Sequence, residues 1–216
     1  MENKSAVITR PNYDDTTSYL HSWASKVILA SEKDNIDIVD LEGEKANRES
    51  FESVLKKKNP DLVFLNGHGS PDAVCGQDDK VVVQADLNEK ILAKRLIYAV
   101  SCDSAQILGK EAVRNGAKVY IGYNKPFAFL ADRNSGTTPL KDKKAQPFLD
   151  SSNRVALDMI RGRTAGEAFN KSQAEFERCI EYYSTSTEPD AAEIIRWLIW
   201  DKMAQTLIGD KEAIIV

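Results

Sequence analysis

The feature that most constrains this 216-residue chain is a repeated pairing of a short apolar run with a longer amphipathic one. Leu62-Val63-Phe64-Leu65 and Leu96-Ile97-Tyr98-Ala99-Val100 are apolar throughout, and Lys118-Val119-Tyr120-Ile121-Gly122 is nearly so. Such runs suit strands buried on both faces, the setting of central parallel strands. Strand patterns at residues 6–9, 36–41, 61–65, 96–100 and 118–122 alternate with helical patterns at 14–31, 48–58, 87–94 and 103–115. This alternation predicts an α/β three-layer sandwich, with a mostly parallel central sheet and helices on both faces.

Local signals set the boundaries. Asp14-Asp15-Thr16-Thr17 supplies capping groups and negative charge to the first helix. Its apolar residues Leu20, Trp23, Val27 and Ala30 fall at helical spacing. Asn59-Pro60 stops the second helix and Gly116 closes the one at 103–115. Beyond the fifth strand the pattern changes. Residues 123–146 hold Pro126, Asn134-Ser135-Gly136-Thr137-Thr138-Pro139 and Lys141-Asp142-Lys143-Lys144, and read as a long, exposed, irregular segment. Helices are predicted at 148–161, 164–183 and 189–207, the middle one opened by a Thr164/Glu167 capping box. A last edge strand is predicted at 213–216. The length suits one domain, residues 1–216.

Several function classes are disfavoured. Hydrophobic residues make up 42% and charged residues 29%, which is an ordinary folded composition. The net charge of −4 argues against a nucleic-acid partner. Nothing approaches the roughly 18 apolar residues of a membrane helix. The first apolar run, Ala6 to Ile8, is too short for a signal peptide, so a cytoplasmic location and no membrane partner are expected. Cys75, Cys102 and Cys179 are widely spaced with no C-x-x-C pair, which speaks against disulfides and a zinc knuckle. The sequence has neither a G-x-G-x-x-G fingerprint nor a P-loop. No metal and no cofactor are expected.

In a parallel α/β sheet, functional groups gather beyond the carboxyl ends of the strands. The third strand runs into Asn66-Gly67-His68-Gly69-Ser70, and the fourth into Ser101-Cys102-Asp103-Ser104-Ala105. If these strands are neighbours, about 4.8 Å apart, an imidazole and a thiol reach one crevice. A free thiol titrates near ~8.5, and a helix starting at Asp103 would favour its anion. His68 can take that proton and return it to a leaving amine. Glycines on both sides let its backbone approach a substrate. The N–H groups of Gly69 and Cys102 are donors for an oxyanion, each such donor being worth roughly 10²–10³ in rate elsewhere. Singly the signals are weak: a cysteine ending an apolar strand is more often packing, and Gly-His-Gly is a tight turn. At consecutive strand ends they are far more specific.

These strand-end motifs resemble those of the caspase-like (clan CD) cysteine peptidases, which include caspases, metacaspases, legumain, gingipains, clostripain, separase and the CHAT domains. Residues 115–123, 162–169 and 207–210 resemble later elements of the CHAT and gingipain branch. The resemblance is close over residues 60–122 and loose over 160–212. It implies a caspase-like fold and a cysteine endopeptidase acting through a thioester acyl-enzyme. His68 would be general base and acid, Cys102 the nucleophile, and Gly69 with Cys102 the oxyanion donors. It implies a protein or peptide substrate and leaves room for a regulatory protein partner.

The resemblance also names substrate-binding candidates. Arg10 lies where caspases hold an aspartate. Asn12 lies where legumain-like enzymes orient the histidine. Tyr123, Asn124, Asp132 and Arg133 fall on the loop that would wall the substrate groove. Val100 stands where metacaspase-like enzymes carry an acidic residue. Residues 103–117 are too short for a caspase activation linker, so the cluster at 141–144 is the better nicking site. A second reading is a catalytically silent interaction module in a regulatory or defence assembly, and a third is a doubly wound domain binding a small ligand at its strand ends. Of the other residues, Cys179 and the Ile194, Trp197, Leu198 and Met203 series read as packing. Cys75 is a candidate for approaching the groove, His21 reads as a boundary residue, and Trp200 as a partner surface.

Overall fold

A computed structural model describes residues 4–33 and 36–215. The strands of its main sheet are β1 (Ser5–Arg10), β2 (Asp37–Glu42), β3 (Leu62–Asn66), β7 (Leu96–Val100), β8 (Val119–Tyr123) and β9 (Gln205–Gly209). A hairpin sheet, β4 (Gly69–Ser70), β5 (Ala73–Cys75) and β6 (Val81–Gln84), leaves the end of β3. The main sheet runs in the order β2-β1-β3-β7-β8-β9. Its first five strands are parallel, and β9 closes one edge antiparallel to β8.

Every residue of β3, β7 and β8 is buried, as their unbroken apolar runs require. Successive side chains point to opposite faces, and each face meets its own helices. On one, Phe64, Tyr98 and Ile121 pack with Trp23 of α1 (Asp15–Lys33) and with Leu149 and Met159 of α4 (Gln146–Ile160). On the other, Val63, Ile97 and Tyr120 pack with Phe51 and Leu55 of α2 (Arg48–Lys58) and Leu108 of α3 (Leu108–Arg114). A third cluster, including Phe148, Phe176 and Leu198, ties α4 to α5 (Ala165–Ser184) and α6 (Ala191–Ala204). The predicted α/β sandwich is the observed one. No helix among the described residues is long and apolar enough to cross a membrane.

Four local expectations are corrected. The helix predicted at 87–94 is a single 3₁₀ turn, Glu89–Leu92, with Asp86 and Lys94 at positive φ on either side of it. The helix predicted from residue 103 begins only at Leu108. Asp103 sits at φ +60°, and the amides of Asp103 and Ala105 donate to the carbonyls of Lys125 and Tyr123 rather than into a helical turn. The last helix stops at Ala204, and Gln205 turns to extended backbone so that residues 205–209 pair with β8. No strand forms at 213–215, although Ala213 and Ile215 are buried in the core; Val216 lies outside the described residues.

The long segment after β8 is irregular, as expected, but it is pinned rather than simply exposed. Asp142, inside the lysine cluster, is fully buried and accepts from Tyr19 Oη (2.6 Å) and from the amides of Asp132 (2.7 Å), Lys144 (2.8 Å) and Ala145 (3.2 Å).

Candidate active site

The register of β3 against β7 pairs Asn66 with Val100, so His68 and Cys102 each lie two residues past a matched position. The strand ends stay in contact beyond the sheet. Gly67 N–H donates to the Val100 carbonyl at 3.4 Å, and Ser101 Oγ donates to the His68 carbonyl at 3.2 Å. Both glycines are sterically required. Gly67 has φ +145°, and a Cβ there would lie 2.1 Å from the Cys75 carbonyl oxygen. A Cβ on Gly69 would lie 1.9 Å from Ser101 Oγ and 2.8 Å from the Cys102 carbonyl oxygen. The hairpin directs the Gly69 amide. Cys75 N–H donates to the His68 carbonyl at 2.9 Å, so His68 and Cys75 form a hydrogen-bonded pair. Antiparallel pairs alternate, so the next pair, Gly69 with Val74, leaves the Gly69 N–H turned away from β5.

His68 Nε2 lies 2.7 Å from Asp14 Oδ2, with the ring edge-on to Tyr13. Against an ionised carboxylate, Nε2 carries the proton and donates, which leaves Nδ1 as the basic nitrogen. Asp14 itself accepts from the Thr17 amide (2.7 Å) and hydroxyl (2.8 Å) at the start of α1. Burial works to raise its pKa, but the Thr17 amide and the His68 contact outweigh it and hold the carboxyl below its ordinary range. The sequence reading gave Asp14 a capping role only and gave Asn12 the histidine. Asn12 is exposed, and its backbone N–H donates to Gln77 Oε1 at 2.9 Å. The available clue was an acidic cap just past the end of the strand that pairs with β3.

Cys102 is half-buried, and its Sγ donates to the Phe127 carbonyl at 3.8 Å. Burial pushes the thiol above its ordinary range; the backbone contact with Phe127 opposes this, and the nearby Asp103 carboxylate adds to it. The expected help from a helix start at residue 103 is missing, because α3 begins at Leu108.

The segment 124–132 covers this end of the sheet. Trp200 Nε1 donates to the Pro126 carbonyl (2.8 Å), and the Ala128 amide donates to Asp201 Oδ1 (3.0 Å). The ring of Phe127 packs on Tyr123 and that of Phe129 on Tyr19. Asp201 is fully buried, and its other oxygen, Oδ2, has no hydrogen-bond partner among the described residues. Burial drives its pKa well above the ordinary carboxylate range.

The structure brings His68, Gly69 and Cys102 together, but it distributes the other candidates differently. Arg10 is buried, with Nε 2.9 Å and Nη2 2.5 Å from the two Asp40 oxygens and Nη2 3.3 Å from Glu42. His21 completes that cluster through Glu42, at 2.8 Å. Tyr123 is wholly buried behind the site, its hydroxyl donating to Ser152 Oγ. Asn124 is exposed beside the Cys102 turn, its carbonyl accepting from Gln106. Asp132 caps a 3₁₀ turn through the Asn134 amide, and the Arg133 side chain lies outside the described residues. Burial and Asp79 push the Cys75 thiol to about 11. Cys179 is core, as expected, whereas Met203 is 69% exposed rather than packed. Trp200 serves this chain's own loop.

No family model matches the sequence, and no curated protein matches it. Among solved structures, the fold is similar to the crystal structure of the Arg-specific cysteine proteinase gingipain R, with a TM-score of 0.59 and 13% sequence identity. The match covers 98% of this chain and 47% of that one, so this chain spans about half the length of that proteinase. At that identity the likeness establishes the fold: a caspase-like α/β sandwich of the gingipain type.

Proposed function

We propose that this chain is a cysteine endopeptidase, with Cys102 as nucleophile and His68 as general base and acid. The observation that carries this reading is the placement of both residues at matched positions past adjacent parallel strands, with His68 Nε2 fixed on Asp14. His68 Nδ1 takes the proton from Cys102 Sγ, and the sulfur adds to a peptide carbonyl carbon. The oxyanion is met by the Gly69 and Cys102 amides. The C–N bond then breaks, and the imidazolium gives its proton to the departing amine. A water, deprotonated by the same nitrogen, adds to the thioester, which releases the carboxylic acid and restores the thiol. Asp14 keeps the imidazole in the required tautomer and stabilises its cation. Arg10 is not part of this proposal, because its guanidinium is held by Asp40 and Glu42. Asn124 and Asp132 remain candidates for the groove rim.

The half-buried Cys102, its thiol pushed up by burial, favours one alternative, a silent caspase-like module that binds a protein partner in its groove without cleaving it. Cleavage of a quenched peptide library separates the two. Wild type is expected to cleave, with Cys102→Ala and His68→Ala at background. Equal background for all three proteins would leave the binding module.

A further inference from the structure

A cavity of about 310 Å³ lies between the first turn of α1 and the covering segment. Its lining includes Asp15, Thr16, Tyr19, Phe127, Phe129 and Ala131. Each wall belongs to a segment that contacts His68 or Cys102. Asp15 follows Asp14, which holds His68, and Phe127 offers its carbonyl to Cys102 Sγ. A side chain entering here would belong to a residue next to the sulfur. The size lies at the low end of ligand sites, which run roughly 300–1,000 Å³, so it admits a side chain and not a folded partner.

The lining chooses among side chains. Tyr19, Phe127 and Phe129 present rings, and the Tyr19 hydroxyl is already committed to the buried Asp142. No lysine or arginine is among the described lining residues, so none of those would hold an acidic side chain. The charge present, Asp15, is exposed in the first turn of α1. A carboxylate at an exposed rim gives a cation little, whereas aromatic walls reward any apolar side chain they cover. We infer that this cavity is the primary specificity subsite, receiving a long apolar side chain (Met, Leu or Phe) on the acyl side of the scissile bond. This rests on the peptidase reading above, and it assigns a preference that differs from the arginine specificity in the description of gingipain R.

The test compares peptides that differ only at that residue: Met, Leu, Phe, Ala, Lys, Arg, Asp. Met, Leu and Phe are expected to exceed Ala by roughly 10-fold or more in kcat/KM, with Asp at background. Phe129→Ala is expected to cut the Met-over-Ala ratio by about 10-fold. Ala131→Trp, which narrows the mouth without touching the core, is expected to cut it similarly. Asp15→Asn is expected to leave that ratio unchanged. A preference for Lys or Arg that collapses in Asp15→Asn would overturn the proposal while leaving the peptidase standing. Binding gives an independent readout. In ¹⁵N-alanine-labelled Cys102→Ala protein, an acetylated Met-ending tripeptide amide is expected to shift the Ala128 and Ala131 amides, and the Asp-ending one is not. Those shifts without turnover in wild type would keep the subsite and remove the peptidase. Neither shifts nor turnover would remove both.

Discussion

At the scale of single residues, the proposed chemistry depends on how His68 is held. Asp14 caps α1 through Thr17 and accepts from His68 with its other oxygen, so one carboxylate links a helix start to the imidazole. The pair is more than a third exposed, so its value lies in orientation and not in stability. Asp14→Asn is expected to lower kcat by roughly 10- to 100-fold with KM little changed, and Asp14→Glu to recover part of it. A change confined to KM would place Asp14 in substrate binding instead. Gly69 makes a second residue-scale test. A methyl group there meets the backbone oxygen of Cys102 as well as the Ser101 side chain, and side-chain rotation relieves only the latter. Gly69→Ala is expected to cost about 1–3 kcal/mol in denaturant unfolding together with most of the activity. The paired motifs made the juxtaposition of His68 and Cys102 at adjacent strand ends legible in the sequence. Asp14 was not legible, because its contact with His68 spans 54 positions and exists only once β1 lies beside β3. Arg10 was misjudged for the same reason. Its partners Asp40 and Glu42 come from the edge strand β2, and their register against β1 is set by the fold.

At the scale of elements, the fully buried strands and the long helices followed their apolar patterns, and the failures lie where tertiary hydrogen bonds overrule local preference. The turn after Cys102 is shaped by carbonyls of the segment after β8, and the end of α6 unwinds because β8 offers an edge to pair with. That covering segment is held by consecutive residues of α6, Trp200 and Asp201, through Pro126 and Ala128. The buried Asp201 gives the arrangement a pH signature. The folded protein keeps on Asp201 a proton that the unfolded chain releases near pH ~4. Folded-state binding of that proton makes the Asp201 contribution largest at low pH and diminishes it as pH rises toward the folded pKa. Relative to Asp201→Asn, which carries no such proton, wild-type stability is expected to fall with pH above ~4, at up to about 1.4 kcal/mol per unit. Parallel stability curves for the two proteins would mean that Asp201 is ionised where it sits.

At the scale of the whole molecule, the layers gather the candidate residues at one end of the sheet. The parallel strands β1, β3, β7 and β8 all deliver their carboxyl ends there, with α1 on one side and the α6-anchored segment on the other. Cys102 Sγ lies under that segment on the Phe127 carbonyl, so the proposed chemistry requires His68 and a substrate that displaces this contact. The most direct measurement is peptide mapping by mass spectrometry after exposure to peptidyl acyloxymethyl ketones that vary in the residue before the reactive group. The expected result is a single adduct on Cys102, with Cys75 and Cys179 unmodified, formed roughly 100-fold more slowly in His68→Ala. Absence of a Cys102 adduct with every reagent, or equal labelling rates with and without His68, would contradict the account.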